Sequence, residues 1–301
     1  MKKLYILFLV FTSIIYAKEV TVSILPQKYF VEKIAKDKVT INVMVKPGAS
    51  PATYEPKTSQ MRLLSKSEIY FSIDVPFENV WLDRFKSANK NMLIIDTADG
   101  IKKQAIAKHT HHEENMDDAE HHDEHEHHDE HEDHDEHEHS GLDPHVWLDP
   151  ILVKIQAKNI LDALVKIDIK NKAFYEKNYN KFLEEIDNLD KKLKKILSPY
   201  KDRPFMVFHP SWGYFSNRYD LEQIAIEVEG KEPKPAQLVE LVKKAKEHGI
   251  KIVFVSPQFS QKGAKTISKS INGTVSKIDP LAYNWNQNLL KVANEIAKTY
   301  K

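Results

Sequence analysis

The chain has no cysteine. That excludes disulfides, thiolate metal sites and a lipid anchor carried on a cysteine. Glycine is scarce, with eight in 301 residues, and none falls in a G-x-G-x-x-G pattern. A dinucleotide site of that kind therefore has no support. An H-E-x-x-H pair is missing too, which removes the usual signature of a zinc peptidase helix. After the first fifteen residues no run is apolar enough to cross a bilayer, which takes about 20 apolar residues. One stretch, 109–139, lacks Lys and Arg altogether.

The single long apolar run is at the start, MKKLYILFLVFTSIIYAKEV. Lys2 and Lys3 precede an apolar segment, Leu4 to Ile15, and Ala17 offers a small residue at a cleavage point. The segment has the form of a secretory signal and is too short for a membrane span. Residues 1–17 are therefore expected to be a cleaved signal peptide and the rest an exported, soluble protein. With no cysteine to carry a lipid, the periplasm is the expected compartment.

The stretch 109–139 holds fifteen acidic residues and twelve of the fifteen histidines. The formal charges balance at 44 and 44, so the remainder carries 29 acidic residues against 44 basic ones. The lysines are scattered among helical patterns and no aromatic–basic motif groups them, so no nucleic-acid partner is expected. The tract cannot bury apolar surface and is expected to be a disordered insertion. Without apolar anchors it offers many weak metal sites rather than one of fixed geometry, so capture, buffering or sensing suits it.

From 18 to 98, strand-like runs (EVTVSIL, VTINVMV, EIYFSI, MLIID) alternate with helix-like ones (KYFVEKIA, SQMRLLSKS, FENVWLDRFKSA). Residues 150–167 read as a helix. In 171–197, Tyr179, Phe182, Ile186, Leu189, Leu193 and Ile196 repeat at spacings of three and four, one stripe on a helix of about seven turns. A second alternating set follows: PFMVF, GYFSNRY, PAQLVELVKKAKEHG, IKIVFV, KGAKTISKSI, TVSKI and NQNLLKVANEIAKTY. The expected fold is α/β. It has two lobes, each a mostly parallel sheet flanked by helices, joined by one long backbone helix. The first lobe spans 18–167 with the tract as a loop, the linking helix 171–197, and the second lobe 200–301.

Ligands of open α/β sheets gather where strands end at their carboxyl edge. PFMVF runs into His209 and TVSKI into Asp279. His145, in the proline-framed GLDPHVWLDP, is assigned to the first lobe and, unlike the tract histidines, should be held in one place. His248, in the last turn of a helix, reads as a surface residue complementing the helix dipole. Each of the other three has an ordinary alternative: His209 as a hydrogen-bonded core histidine, Asp279 as a cap on the turn before Pro280, and His145 as another member of the tract.

Together, VMVKPGASPATYEPKTSQM, the tract, DPHVWLDP, FHPSWGYF, EGKEPKPAQL and IDPLAYNW resemble the metal-binding receptors of ABC importers, most of all the zinc receptors of the ZnuA type. The resemblance runs over nearly the whole exported chain. It implies two α/β lobes joined by a rigid helix with metal in the interlobe cleft, His145, His209 and Asp279 as metal ligands, zinc as cargo, and an inner-membrane permease as partner. It also implies a monomer that is not an enzyme. One departure stands out. The first histidine of the family pattern would follow Pro51, where this chain has Ala52. A water, Glu55 or a tract histidine is left to take its place. The tract and water are favoured, because Tyr54 and Pro56 set the direction of Glu55.

Two imidazoles with one carboxylate suit zinc but do not exclude manganese, and imidazole affinity alone also favours copper or nickel. The histidine-rich tract tips the expectation to zinc. The expected function is zinc capture and delivery to a permease. A receptor for manganese or another divalent metal, a metal buffer or chaperone, and a zinc hydrolase are the alternatives, and the last lacks an evident general base.

Overall fold

The computed structural model describes residues 17–106, 141–227 and 231–300. The proposed signal peptide, apart from Ala17, and the acidic histidine tract lie outside the described residues. The contacts divide the chain into two compact units. The first takes in residues up to 100, with 153–188 and 281–285; the second takes in 101–152, 189–280 and 286–301.

Each unit is built on a four-stranded parallel sheet. In the first, β1 (Lys18–Val22), β2 (Val39–Val43), β3 (Ile69–Ser72) and β4 (Leu93–Asp96) lie in the order β2-β1-β3-β4. They are connected through α1 (Leu25–Ala35), α2 (Thr58–Leu64) and α3 (Pro76–Ala88). Parallel neighbours need such crossovers. The β3 run Ile-Tyr-Phe-Ser is buried throughout, the pattern of a strand covered on both faces. Helix α4 (Pro150–Ile167) ends where the sequence predicts, and α5 (Lys172–Leu197) is the long helix, with 26 residues. Its buried stripe is Tyr175, Phe182, Ile186, Leu189, Leu193 and Leu197. The predicted Tyr179 and Ile196 sit at the border of that face, half-buried. Residues 172–188 of α5 group with the first unit and 189–197 with the second.

The second sheet contains β5 (Pro204–Val207), β6 (Glu222–Ala225), β7 (Ile252–Val255) and β8 (Thr274–Lys277), in the order β6-β5-β7-β8. The order of the first sheet is thus repeated. Helices α6 (Gly213–Arg218), α7 (Pro235–Glu247) and α8 (Lys262–Ser270) connect the strands, and α9 (Trp285–Lys298) ends the chain. The sequence reading has no strand at β6, a short element with one exposed and one half-buried residue among its four. Strand residues alternate between faces. Met206, Phe208, Ile224, Ile226, Val253 and Val255 pack in one core with Leu241 and Ala245 of α7 and Ala264 and Ile267 of α8. By parity, His209 and Glu227 fall on the opposite face of the same sheet.

At the carboxyl edge of the first sheet the polar groups satisfy one another. The buried Glu78 carboxylate accepts from the backbone N–H groups of Ile73 and Val75 at 3.2 Å, from Tyr70 Oη at 3.1 Å, and from the Ser23 hydroxyl. Burial pushes its pKa up to about 7, against the pull of those donors. The edge of the second sheet carries different chemistry.

Candidate metal site

In an open parallel sheet the loops diverge where the strand order reverses, and ligands bind there. In the second sheet that point lies between β5 and β7. All four strands place a polar side chain just past their carboxyl ends: His209 after β5, Glu227 after β6, Gln258 after β7 and Asp279 after β8.

His209 is clamped from two sides. Its Nδ1 is 3.0 Å from Glu227 Oε2, and its ring stacks on Phe259 with centroids 4.1 Å apart and planes 21° apart. Burial pushes the imidazole pKa down, outweighing the upward pull of the Glu227 hydrogen bond. The ring is therefore neutral near pH 7. Bonding of Nδ1–H to a carboxylate puts the lone pair on Nε2, which is the tautomer a metal requires.

His145 is held in the same way. Its Nδ1 lies 2.7 Å from Asp143 Oδ1, and the same oxygen accepts its backbone N–H at 3.0 Å. Asp143 is only 2 % exposed. Gln104 Nε2 donates to its other oxygen at 3.2 Å. The Gln104 backbone N–H donates to Tyr214 Oη at 3.0 Å, and Tyr214 Oη donates to the Asp143 carbonyl at 3.0 Å. Gly213 begins α6 beside this network. A Cβ there would lie 2.8 Å from Gln104 Nε2 and 3.0 Å from Asp143 Oδ2, so only glycine fits without displacing the support. Across the tract, Ala105 and Leu142 form an antiparallel bridge, and Asp143 N–H donates to the Gln104 carbonyl at 2.8 Å. The two flanks of the tract are thus joined to each other, the second of them three residues before His145.

The sequence reading assigned His145 to the first lobe, but its contacts group it with the second unit. The 3-10 turn Val146–Leu148 that follows it is fully buried. Trp147 Nε1 donates to the Pro280 carbonyl at 2.7 Å, beside Asp279. Packing of this turn, and not chain proximity to α4, decides where His145 belongs. The His145 and His209 rings are 5.7 Å apart, at 70°.

Asp279 accepts from Gln258 Nε2 at 2.9 Å through Oδ1, and its carbonyl accepts from Asn288 Nδ2 at 2.7 Å. Among the described residues no group of three or more His, Asp or Glu stands at metal-holding distances. The structure thus brings the two histidines together but does not gather Asp279 with them into one ligand cluster. Ala52 lies exposed in a turn of the first unit, where its N–H donates to Ser50 Oγ at 3.2 Å, and Glu55 is also exposed. His248 is exposed at the end of α7, as expected.

The sequence reading missed Asp143, Glu227, Gln258 and Phe259. Asp143, two residues before His145, was readable from spacing. Glu227 follows Ile224 and Ile226 at the end of the strand that went unrecognised. A carboxylate on the far ring nitrogen fixes orientation and raises ligand basicity, and its loss typically costs tenfold to a hundredfold in metal affinity. Glu227→Gln is accordingly expected to weaken zinc binding by about tenfold or more, measured by competition with a chromophoric chelator. An unchanged affinity would show that the Glu227 charge does not support His209 as a ligand.

Comparison with known proteins gives the family of the chain. Residues 20–300 match the ZnuA family, described as zinc-uptake complex component A periplasmic. The high-affinity zinc uptake system protein ZnuA of Bacillus subtilis (strain 168) is 29 % identical over 263 residues, which is 85 % of this chain and 76 % of that protein. A crystal structure of ZnuA is similar with a TM-score of 0.82 at 40 % identity, over 95 % of this chain and 100 % of that one. A zinc-bound ZnuA deletion mutant is similar with a TM-score of 0.81 at 40 % identity, over 94 % and 98 % of the two chains. The family match begins inside β1 and runs past the end of α9. The chain belongs to the ZnuA family.

Proposed function

We propose that this chain captures zinc outside the cytoplasm with His145, His209 and Asp279 and delivers it to the membrane permease of an ABC importer. The observation that carries this reading is the matched pair of histidines. Two imidazoles with rings 5.7 Å apart each bind a buried carboxylate through Nδ1, so both Nε2 lone pairs are set for a metal. The similarity to proteins named for high-affinity zinc uptake, and to a ZnuA deletion mutant with zinc bound, supports zinc as the cargo. The donors agree, since imidazole nitrogen suits zinc better than manganese, which prefers oxygen. In this reading the chain is a receptor and not an enzyme, and it acts as a monomer. Its first 17 residues direct export to the periplasm and are removed. Among the described residues no helix is long and apolar enough to cross a membrane.

The tract then serves as a local store that raises the zinc concentration beside the ordered site. Metal analysis of protein purified without chelators or a histidine tag tests both parts. Full-length protein should carry several zinc ions, and a variant lacking 120–139 should retain one tightly held ion. Retention of manganese in preference to zinc from an equimolar mixture, or no retained metal after the deletion, would overturn the reading. Zinc-limited growth of a deletion strain, with capture of the permease by the purified chain, separates delivery from simple buffering.

A further inference from the structure

Among the described residues, Gln258 is the one polar side chain at the edge of the second sheet with a buried atom that has no hydrogen-bond partner. Its Nε2 donates to Asp279 Oδ1 at 2.9 Å. Its Oε1 is buried and has no hydrogen-bond partner among the described residues. A buried acceptor left unpaired is costly, so such atoms normally have a function or a ligand. Flipping the amide does not relieve it, because a flip would set the amide oxygen against the Asp279 carboxylate and strand the NH2 group.

The position gives the orphan oxygen its meaning. Gln258 follows β7, one of the two strands flanking the reversal of strand order, and His209 follows the other, β5. The next residue, Phe259, stacks on His209 at 4.1 Å. Residues 258 and 259 thus contact two of the three proposed ligands. The chain also carries Ala52 where a family histidine is expected, so the proposed set offers three protein donors to a metal that in such sites takes a fourth ligand. An amide oxygen is a good acceptor for the proton of a metal-bound water, whose polarised O–H donates strongly.

We infer that Gln258 is a positioning residue of the metal site: Nε2 orients the Asp279 carboxylate, and Oε1 accepts a hydrogen bond from a water that fills the fourth position on the bound zinc. The inference rests on the proposed function. It makes the ordered site independent of the tract, since the protein holds a water where the histidine is absent.

Gln258→Met, close in shape but with neither donor nor acceptor, tests it. Zinc affinity, measured against a competing chelator with zinc alone as the probe, should fall about tenfold to a hundredfold. The visible spectrum of the cobalt(II)-loaded protein should change as well, because it reports ligand geometry and not fold stability. Unchanged affinity with an unchanged cobalt spectrum would overturn the inference. His209→Ala in the same assay keeps the two readings apart. Loss of binding there with a neutral Gln258→Met sinks only the role of Gln258, whereas neutrality of both sinks the site itself. Should Gln258→Met fail to fold, Gln258→Glu keeps the shape and an acceptor but removes the donor to Asp279. Wild-type affinity in that variant would overturn the inference, and a tenfold loss would support it.

Discussion

His209→Ala is expected to abolish tight zinc binding. Zinc sites built from protein ligands are worth about 10 kcal/mol or more in total, so one lost ligand of three should cost roughly 3 kcal/mol, about a hundredfold in Kd. The effect should exceed that of Glu227→Gln, because the donor atom itself is removed. His145→Ala should behave alike, since its ring is held in the same manner. Titration against a competing chelator reads both. Unchanged affinity in His145→Ala would return that residue to a structural role with Asp143. Because removal of the ring also leaves the buried Glu227 without its partner, unfolding of the metal-free variants should be measured alongside. The pH profile is a second check. A ligand must be neutral, and burial already lowers the His209 pKa. Wild-type binding at this residue should therefore persist below the usual histidine range near about 6.5 before protonation competes.

The largest effect on stability is expected from Arg218→Met. The Arg218 guanidinium meets the buried Asp190 carboxylate through two hydrogen bonds, at 3.1 and 3.0 Å, and approaches Asp149 at 3.8 Å. These pairs join α6 to α5 and to the segment just after the His145 turn. Removing one partner of a buried pair leaves the other charge uncompensated, which costs about 3–5 kcal/mol. The lower end applies here, because Lys194 still reaches Asp190 at 3.0 Å. A fall of roughly 10 °C in Tm is expected, read by thermal unfolding of the metal-free protein. A Tm within a degree of wild type would refute it. The sign with pH follows from the carboxylate. Burial pushes the Asp190 pKa up, but the hydrogen bonds from Arg218 and Lys194 outweigh it and hold it below 3.8. A carboxylate with a depressed folded pKa contributes stability above its unfolded value, and that stability is lost as pH falls through the folded one. Wild-type protein should thus lose this term only in strong acid, and Arg218→Met should show a smaller loss there.

Seven of the eight strands, the long helix and the helices between them were legible in the sequence, because each carries a run of β-branched or aromatic residues or a repeat of three and four. The α5 stripe shows how local that signal is, since amphipathic periodicity is a property of the helix itself. His209 and Asp279 were nominated for a related reason: each directly follows a recognisable strand, and a parallel sheet exposes that edge to ligands. Ala52, a substitution within a motif, was also visible without coordinates. Four features were not. β6 is too short and too polar at its start to announce itself, and it acquires its place by pairing with β5. Glu227 went unseen with it. His145 was placed in the wrong unit because its residence depends on a buried Trp147 donating to Pro280, 133 residues away. Gln258 and Phe259 sit in a loop with no motif. Only the crossing of β7 beside β5 brings them to Asp279 and His209. The sequence alone thus nominated His145, His209 and Asp279 as candidate metal ligands. Long-range strand pairing and side-chain packing decided which partners hold His209 and Asp279, because Glu227, Phe259 and Gln258 meet them through the sheet order and not through the chain; Asp143 reaches His145 from only two residues away.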